Sequence, residues 1–315
     1  MKLSEELFEG GSKETQRKKK NTFYAICITL ALIAMMLIVL LVFGIATLIS
    51  NNVQKNNEAE QVQFSIGATE TVVLGEDAIY SGTLLKLDST NTYKGSEESP
   101  IIIRSSEDRP KTQSGGNVYS ILAGRTDAEY DFRATPDAVA AFNLMLKDFY
   151  AAKSDDNICI THAYSIASKD NLAPVFAAGT SFELGYYFDY AADKTDVRDI
   201  KGVEKYSWLY SNAYKYGFIN VSLESSNSIF RFVGIPHATY MKTKKLDLDG
   251  YLEQLRSATS DAPILIKVGR TTYASYFLSA AGEHLVPAEH EYTVSGNNYD
   301  GYIITAKIEP KQANK

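Results

Sequence analysis

The sequence predicts an α+β protein that is held by one N-terminal transmembrane helix and ends in a small β region. Three patterns predict this architecture: a long uncharged run near the N-terminus, amphipathic helical segments in the middle of the chain, and short strand-like runs towards its end. A chain of 315 residues, 45% of them hydrophobic, is long and apolar enough to bury a sizeable core.

The uncharged run over 22–50 is longer than the roughly 20 residues that a helix needs to cross a bilayer. Basic residues are concentrated just before it, in 13–20, whereas 51–61 contains one lysine and two glutamates. The positive-inside rule therefore places the tail over 1–21 in the cytoplasm and the domain after the helix in the extracellular space. We predict a single-pass membrane protein with an uncleaved anchor, because a signal peptide has a shorter apolar core.

Composition narrows the function and compartment of the domain outside the membrane. The net charge of −6 and the lack of a basic, aromatic-rich face argue against nucleic-acid binding. Of the two cysteines, Cys27 lies within the membrane run and Cys159 outside it, so we expect no intrachain disulfide. This pattern is unlike a disulfide-rich secreted scaffold and fits a bacterial extracytoplasmic domain.

The chain between the membrane and the first helix has little regular pattern. The segment over 51–78 begins with a run rich in Asn, Gln and Glu and is predicted to be a stalk or linker. Apolar runs at 71–75 and 81–88 are typical of strands, and the Ile-rich run at 101–104 is a further short candidate.

Three helices are predicted in the middle of the chain. Thr135 is a natural N-cap and Pro136 suits the first helical position, and the helix after them carries one apolar stripe. The stripe consists of Val139, Phe142, Met145, Leu146 and Phe149. A second helix is predicted over 204–216 with Gly217 as its C-terminal stop, and a third lies around 248–257.

The last part of the chain is typical of β-structure. Four strand-like runs follow residue 262, at 264–269, 272–280, 291–296 and 301–309. The stretch Gly-Asn-Asn-Tyr-Asp-Gly between the last two is typical of a tight turn. We therefore predict a small β appendage over 259–315, beside an α+β core over 79–258.

Four stretches of the core carry a family resemblance. They are WLYSNAYKYGF at 208–218, FRFVGIPHATYM at 230–241, the helix after Thr135, and the strand NICITHAYS at 157–165. Together they resemble the VanY-type D-alanyl-D-alanine carboxypeptidases, zinc peptidases with the Hedgehog/D,D-peptidase fold. The resemblance covers the core domain and implies this fold for it.

The resemblance also implies a zinc site. Members of the family bind zinc through a Ser-x-His-x-x-Gly-x-x-x-Asp motif and a later Glu-x-x-His, in which the Glu takes a proton from zinc-bound water. Alignment on Gly185 places Thr180 at the Ser and Phe182 at the first His. The same alignment places Asp189 at the Asp.

The second half of the site is also altered. Alignment on Phe-Arg-Phe-Val-Gly places Ser226 at the catalytic Glu and Ile229 at the second His, and the substrate-binding Arg of relatives falls on Ser165. Phenylalanine and isoleucine offer a metal no lone pair, and serine is too weak a base to replace glutamate. Asp189 is therefore the one matching ligand position, and a single carboxylate does not hold zinc.

These substitutions predict a catalytically inactive, D-alanyl-D-alanine carboxypeptidase-like pseudoenzyme that needs no cofactor. Its predicted ligand is the stem peptide of peptidoglycan in the cell wall, or a protein partner. Asp189 either accepts hydrogen bonds from backbone amides or tyrosine hydroxyls, or it marks a groove that still binds peptide.

Two alternatives stay open. The first is an active zinc D,D-carboxypeptidase of peptidoglycan metabolism, with a site rebuilt from Asp189, His162, Glu183 and His237. Against it, Glu183 should face away from Phe182 in an extended strand, and a surface or packing role is expected for His237. The second alternative is a structural or interaction ectodomain of a membrane complex, bound through the β appendage.

Overall fold

The computed structural model describes most of the chain after residue 65. It describes residues 66–95, 109–121, 132–165, 173–189, 192–193, 195–223 and 226–308, the backbone of 101–102, and the single positions 24 and 26. Among these residues no helix is both long and apolar enough to span a bilayer. The predicted membrane helix over 22–50 lies outside them, except that Tyr24 and Ile26 are helical.

The unit Phe64–Lys315 combines helices with several β-sheets. Its strands are β1 (Thr69–Val72), β2 (Ile101–Ile102), β3 (Ser120–Ile121), β4 (Phe132–Ala134), β5 (Ile158–His162), β6 (Tyr164–Ser165), β7 (Ser181–Tyr187), β8 (Val197–Asp199), β9 (Phe218–Leu223), β10 (Ser226–Phe232), β11 (Ile264–Val268), β12 (Thr271–Ser279), β13 (His284–Pro287), β14 (Tyr292–Gly296) and β15 (Gly301–Ile308). Its α-helices are α1 (Pro136–Lys153), α2 (Ser207–Asn212), α3 (Ile235–Lys244) and α4 (Leu248–Arg256).

A six-stranded sheet lies at the centre of this unit. Its strand order is β3-β5-β7-β10-β9, and β8 pairs with β7 beside this path. The pairing of β3 with β5 is parallel, and the other pairings are antiparallel. Strands β2, β4 and β6 form a separate three-stranded sheet, in the order β2-β4-β6. The centre of the fold is thus a mixed sheet that presents two distinct faces.

Helix α1 covers one face of the central sheet, as its apolar stripe predicts. Phe142, Met145, Leu146 and Phe149 are fully buried, in the same cluster as Leu184 of β7. Ala138 is buried as well, whereas Val139 is only partly buried. Burying this stripe holds the helix on the sheet, since each large apolar side chain contributes about 1.5–3 kcal/mol when it leaves water.

The second predicted helix is confirmed as a helical run over 204–216 that stops at Gly217. Only α2 within it is α-helical: a 3-10 turn at Glu204–Tyr206 leads into α2, and a second 3-10 turn follows at Ala213–Tyr216. Gly217 ends the segment in the left-handed conformation, with φ of 85°. The third predicted helix is confirmed as α4, which Asp247 caps by accepting a hydrogen bond from the Gly250 amide at 2.8 Å.

The four strands predicted after residue 262 are confirmed. They form one antiparallel sheet in the order β11-β12-β15-β14. Sequence reasoning missed β13, which pairs with β1 in a separate two-stranded sheet. Because β1 lies within 51–78, the later part of the predicted linker is paired with a strand that lies more than 200 residues later in the chain.

The run at 81–88 is not a strand, which corrects the prediction. Leu84 and Leu85 are consecutive and both fully buried, whereas a strand would point them to opposite faces. The segment is held by the C-terminal sheet: the Leu84 amide donates to Ser295 Oγ at 2.9 Å. The side-chain amide of Asn298 donates to three carbonyls, those of residues 86, 91 and 92.

Candidate functional site

The two faces of the central sheet separate the residues that the resemblance points to. Strands β7 and β10 pair so that Phe182 lies opposite Phe230, and Glu183 lies opposite Ile229. Opposed residues in an antiparallel pair share a face, and neighbours along a strand alternate. Phe182 and Phe230 face the helices, so Glu183 and Ile229 lie on the other face.

Phe182, at the first family His position, is a core residue. Its side chain is fully buried, and its ring stacks on that of Phe142 with centroids 4.2 Å apart. The ring of Phe218 lies edge-on, 6.1 Å from it between centroids. Stacked and edge-to-face aromatic pairs of this kind are favourable beyond their buried area. The side chain at position 182 is therefore part of the hydrophobic core and is not accessible to solvent.

Ile229, at the second family His position, lies on the opposite face. It is fully buried in a small apolar cluster with Val175 and Phe176, from the 3-10 turn Pro174–Phe176. Because Ile229 and Phe182 project to opposite sides of the sheet, the structure does not bring the two positions together. Histidines at both positions could not share one metal ion in this arrangement.

Asp189, the matching ligand position, lies beyond the end of β7. It is exposed, and its carboxylate accepts a hydrogen bond from the Ala192 amide at 3.1 Å. This contact is one of the structural roles expected from the sequence. Asp189 lies two positions past the last residue of β7 and six positions past Glu183. Within the described residues, its side chain hydrogen-bonds to the Ala192 amide and not to His162, Glu183 or Ser226.

A polar cluster of His162, Glu183 and Ser226 lies on the face that carries Ile229. The Nδ1 atom of His162 contacts Oε2 of Glu183, and the side chain of Ser226 lies near the same carboxylate and helps to lower its pKa. A β-bulge in β5 shifts the register between Ile160 and His162, so that His162 lies opposite Glu183. Ser226, at the family's catalytic Glu position, therefore supports a carboxylate that comes from the neighbouring strand.

The cluster changes the acidity of its carboxyl group. Burial alone would raise the pKa of Glu183, but hydrogen bonds from His162 and Ser226 outweigh it and lower the pKa below its usual range. The His162 side chain is 49% exposed, against 18% for Glu183. One edge of the imidazole is therefore fixed by the carboxylate, while the rest of the ring is open to a ligand.

The remaining sequence candidates do not reach this cluster. Ser165 and Thr180 are buried, and their hydroxyls have no hydrogen-bond partner within the described residues. His237 is also buried, with Nδ1 2.8 Å from the Tyr251 hydroxyl and Nε2 3.3 Å from Thr305 Oγ1. Burial lowers the pKa of His237 to about 4, which keeps the ring neutral. His237 is therefore the packing histidine that the sequence allowed for.

These residues do not fit the zinc site that the resemblance implies. Within the described part of the chain, no group of three or more His, Cys, Asp or Glu side chains could hold a metal ion. His162 and Glu183 supply two donors, whereas protein zinc sites take at least three protein ligands. Of the four residues proposed for a rebuilt site, the structure brings together only this pair. The face of the sheet that carries Glu183 and Ile229, called the open face below, thus provides hydrogen-bonding groups beside the apolar cluster of Val175, Phe176 and Ile229.

Comparison with known proteins agrees with the fold. The chain is 31% identical over 109 residues to a D-alanyl-D-alanine carboxypeptidase of Enterococcus faecium, a match that covers 31% of this chain and 35% of that protein. The chain thus matches about a third of the length of this relative. No protein-family model matches the chain.

Solved structures extend the comparison. The vancomycin-resistance D,D-dipeptidase VanXYg, solved in complex with a D-Ala-D-Ala phosphinate analogue, superposes with a TM-score of 0.57. The match has 18% identity and covers 77% of this chain and 100% of VanXYg. VanYB in complex with D-alanine-D-alanine gives a TM-score of 0.30 at 17% identity, over 54% of this chain and 97% of VanYB, which is too low to carry an argument. The chain therefore has a VanY-like Hedgehog/D,D-peptidase fold.

Proposed function

We propose that this chain is a D,D-carboxypeptidase-like domain that binds the stem peptide of peptidoglycan without hydrolysing it. The observation that carries the proposal is the placement of Phe182 and Ile229. These two residues stand at the family's histidine positions, are fully buried in apolar clusters, and face opposite sides of the sheet. Neither can offer a lone pair to zinc. Two of the three zinc ligands that the family motif requires are therefore missing at the aligned positions.

Binding can outlast catalysis, because the two depend on different groups. Nδ1 of His162 holds its proton against Glu183, so the half-exposed ring donates a hydrogen bond from Nε2 to a peptide carboxylate only in its protonated, imidazolium form. Phe176, whose ring centroid lies 6.4 Å from that of His162, is itself buried, but the partly exposed apolar side chains packed against its cluster, those of Ala173, Val221 and Leu223, suit the methyl groups of alanine residues. The D-Ala-D-Ala analogue bound to VanXYg motivates the choice of ligand.

We further propose that the helix predicted over 22–50 anchors the domain at the outer face of the membrane. The basic tail over 1–21 would then lie in the cytoplasm. This placement gives the domain access to the cell wall. A protein partner on the same side of the membrane is the alternative ligand.

The test uses the full-length protein in detergent and a muramyl pentapeptide that ends in D-Ala-D-Ala. Calorimetry measures binding, and chromatography measures released D-alanine with and without added zinc. We expect saturable binding and no D-alanine release. His162→Ala should weaken binding about tenfold, since it removes a hydrogen bond to a charged group. His290→Ala is the matched control, because this histidine lies between β13 and β14 and should leave binding unchanged.

Two results would contradict the proposal. Zinc-dependent release of D-alanine would establish an active peptidase. No detectable pentapeptide binding, with an intact fold, would direct the search to a protein partner.

A further inference from the structure

A cavity of about 410 Å³ lies where helix α3, strand β9 and the turn Ala213–Tyr216 meet. Its partly exposed aromatic and apolar lining consists of Tyr210, Tyr214, Ile219 and Leu246, whereas Phe218 and Phe230 lie fully buried behind it. None of the residues of the His162–Glu183–Ser226 cluster lines it. Its volume is in the range of about 300–1,000 Å³ that is typical of small-molecule sites. The cavity is therefore a second candidate site, separate from the open face of the sheet.

The charge of the cavity lining has one sign. Lys242 and Lys245 line it, and no Asp or Glu does. Within the described part of the chain, neither lysine forms an ion pair; Lys242 Nζ donates only a 3.4 Å hydrogen bond to the Tyr210 carbonyl. The C-terminus of α3 contributes roughly half a negative charge, which two ammonium groups outweigh. A positive cavity is notable in a chain of net charge −6.

We propose that this cavity binds a small organic anion with an aromatic or aliphatic body. The rings and the apolar floor would contact the body, and Lys242 and Lys245 would pair with the anionic group at the cavity mouth. This inference does not depend on peptide binding at the open face.

The test uses the full-length protein in lipid nanodiscs, with 8-anilinonaphthalene-1-sulfonate as the probe. Lysines are acetylated with an N-hydroxysuccinimide ester during a titration of the probe, and mass spectrometry reads the labelling rate of each lysine. Lys244 is the internal control, because it lies in the last turn of the same helix but does not line the cavity. We expect at least fivefold slower labelling of Lys242 and Lys245 at saturation, with an unchanged rate at Lys244.

A variant separates charge pairing from apolar binding. Lys245→Gln should raise the probe concentration that half-protects Lys242 by about two- to fivefold, the effect of one partly exposed charge pair. Lys244→Gln should leave that concentration unchanged. The neutral analogue N-phenyl-1-naphthylamine should protect Lys242 less than the sulfonate does. Equal protection of all three lysines, no protection, or equal protection by the neutral analogue would each overturn the proposal.

Discussion

The rings of Phe142 and Phe182 stack in the core with their planes inclined by 20°. The alignment on Gly185 places Phe182 at a metal-binding histidine of the zinc motif, and Phe142 comes from the helix that covers the sheet. A packed aromatic ring thus stands at the position that the alignment gives to a zinc ligand. Both residues now contribute to stability, and this gives the first prediction.

Phe182→His should destabilise the protein without creating a metal site. Loss of ring contacts and burial of an imidazole without a partner should cost about 3 kcal/mol or more. Urea unfolding followed by the fluorescence of the single Trp, Trp208, measures the loss. Phe182→Leu is the control that keeps the site apolar and should cost less. One bound zinc per chain in the histidine variant would contradict the assignment of Phe182 to the core.

Glu183→Gln should lower stability near neutral pH but not in acid. The pKa of Glu183 is lowered in the folded protein from an ordinary value of 4.5, so the carboxylate stabilises the fold above that pH. This contribution is lost as the pH falls through the lower pKa of the folded state. We expect the variant to be about 1 kcal/mol less stable at pH 7, because the pair is partly exposed. Urea titrations at several pH values measure the gap, which should close at the acid end.

His237 should make the protein less stable as the pH falls below 6.5. Its pKa is lowered by burial to about 4, so the unfolded chain takes up a proton at a higher pH than the folded one. The free energy of unfolding should therefore decrease between pH 6.5 and 4, by at most about 3 kcal/mol. His237→Gln should have a flatter pH dependence in the same urea experiment. Identical slopes for the two proteins would rule out this role of His237.

Gly217→Ala and Gly269→Ala form a matched pair. Both glycines have positive φ, but a Cβ at Gly217 would lie 2.8 Å from a ring carbon of Phe232 and 2.9 Å from the carbonyl carbon of Gly234. A Cβ at Gly269 would meet no atom within 4 Å. We expect a cost of about 1 kcal/mol at Gly269 from the backbone alone, and clearly more at Gly217. Thermal unfolding compares the two variants, and equal costs would show that the clash at Gly217 is relieved.

Local signals in the sequence were enough for much of the fold. Helix α1 begins at Pro136 and carries a single apolar stripe, although the Thr135 hydroxyl makes no capping hydrogen bond within the described residues, and the C-terminal strands are separated by turn residues. Leu84 and Leu85, in the run at 81–88, are apolar and buried in the folded protein. Their apolar character alone does not show that this run lacks strand pairing. The pairing of β1 with β13 joins segments about 200 residues apart, for which a single sequence has no local signal.

The candidate site was only partly predictable for the same reason. Alternation along β7 correctly places Glu183 and Phe182 on opposite faces. The contact between Glu183 and His162 depends on a bulge in β5, which the sequence does not mark with glycine or proline. The proximity of Ser226 to Glu183 depends in turn on the register of β7 and β10. Such contacts follow from the assembled sheet and not from motif spacing.

The hydrogen bonds of Asn298 have a consequence for how the protein is made. They join this residue to carbonyls 206 to 212 positions earlier in the chain. At a synthesis rate of about 5–20 residues per second, residues 86–92 wait roughly 10–40 s for their partner. During that interval Leu84 and Leu85 lack the segment that later covers them. The nascent chain therefore exposes an apolar segment early, and the domain can finish folding only after the β14–β15 hairpin has left the ribosome.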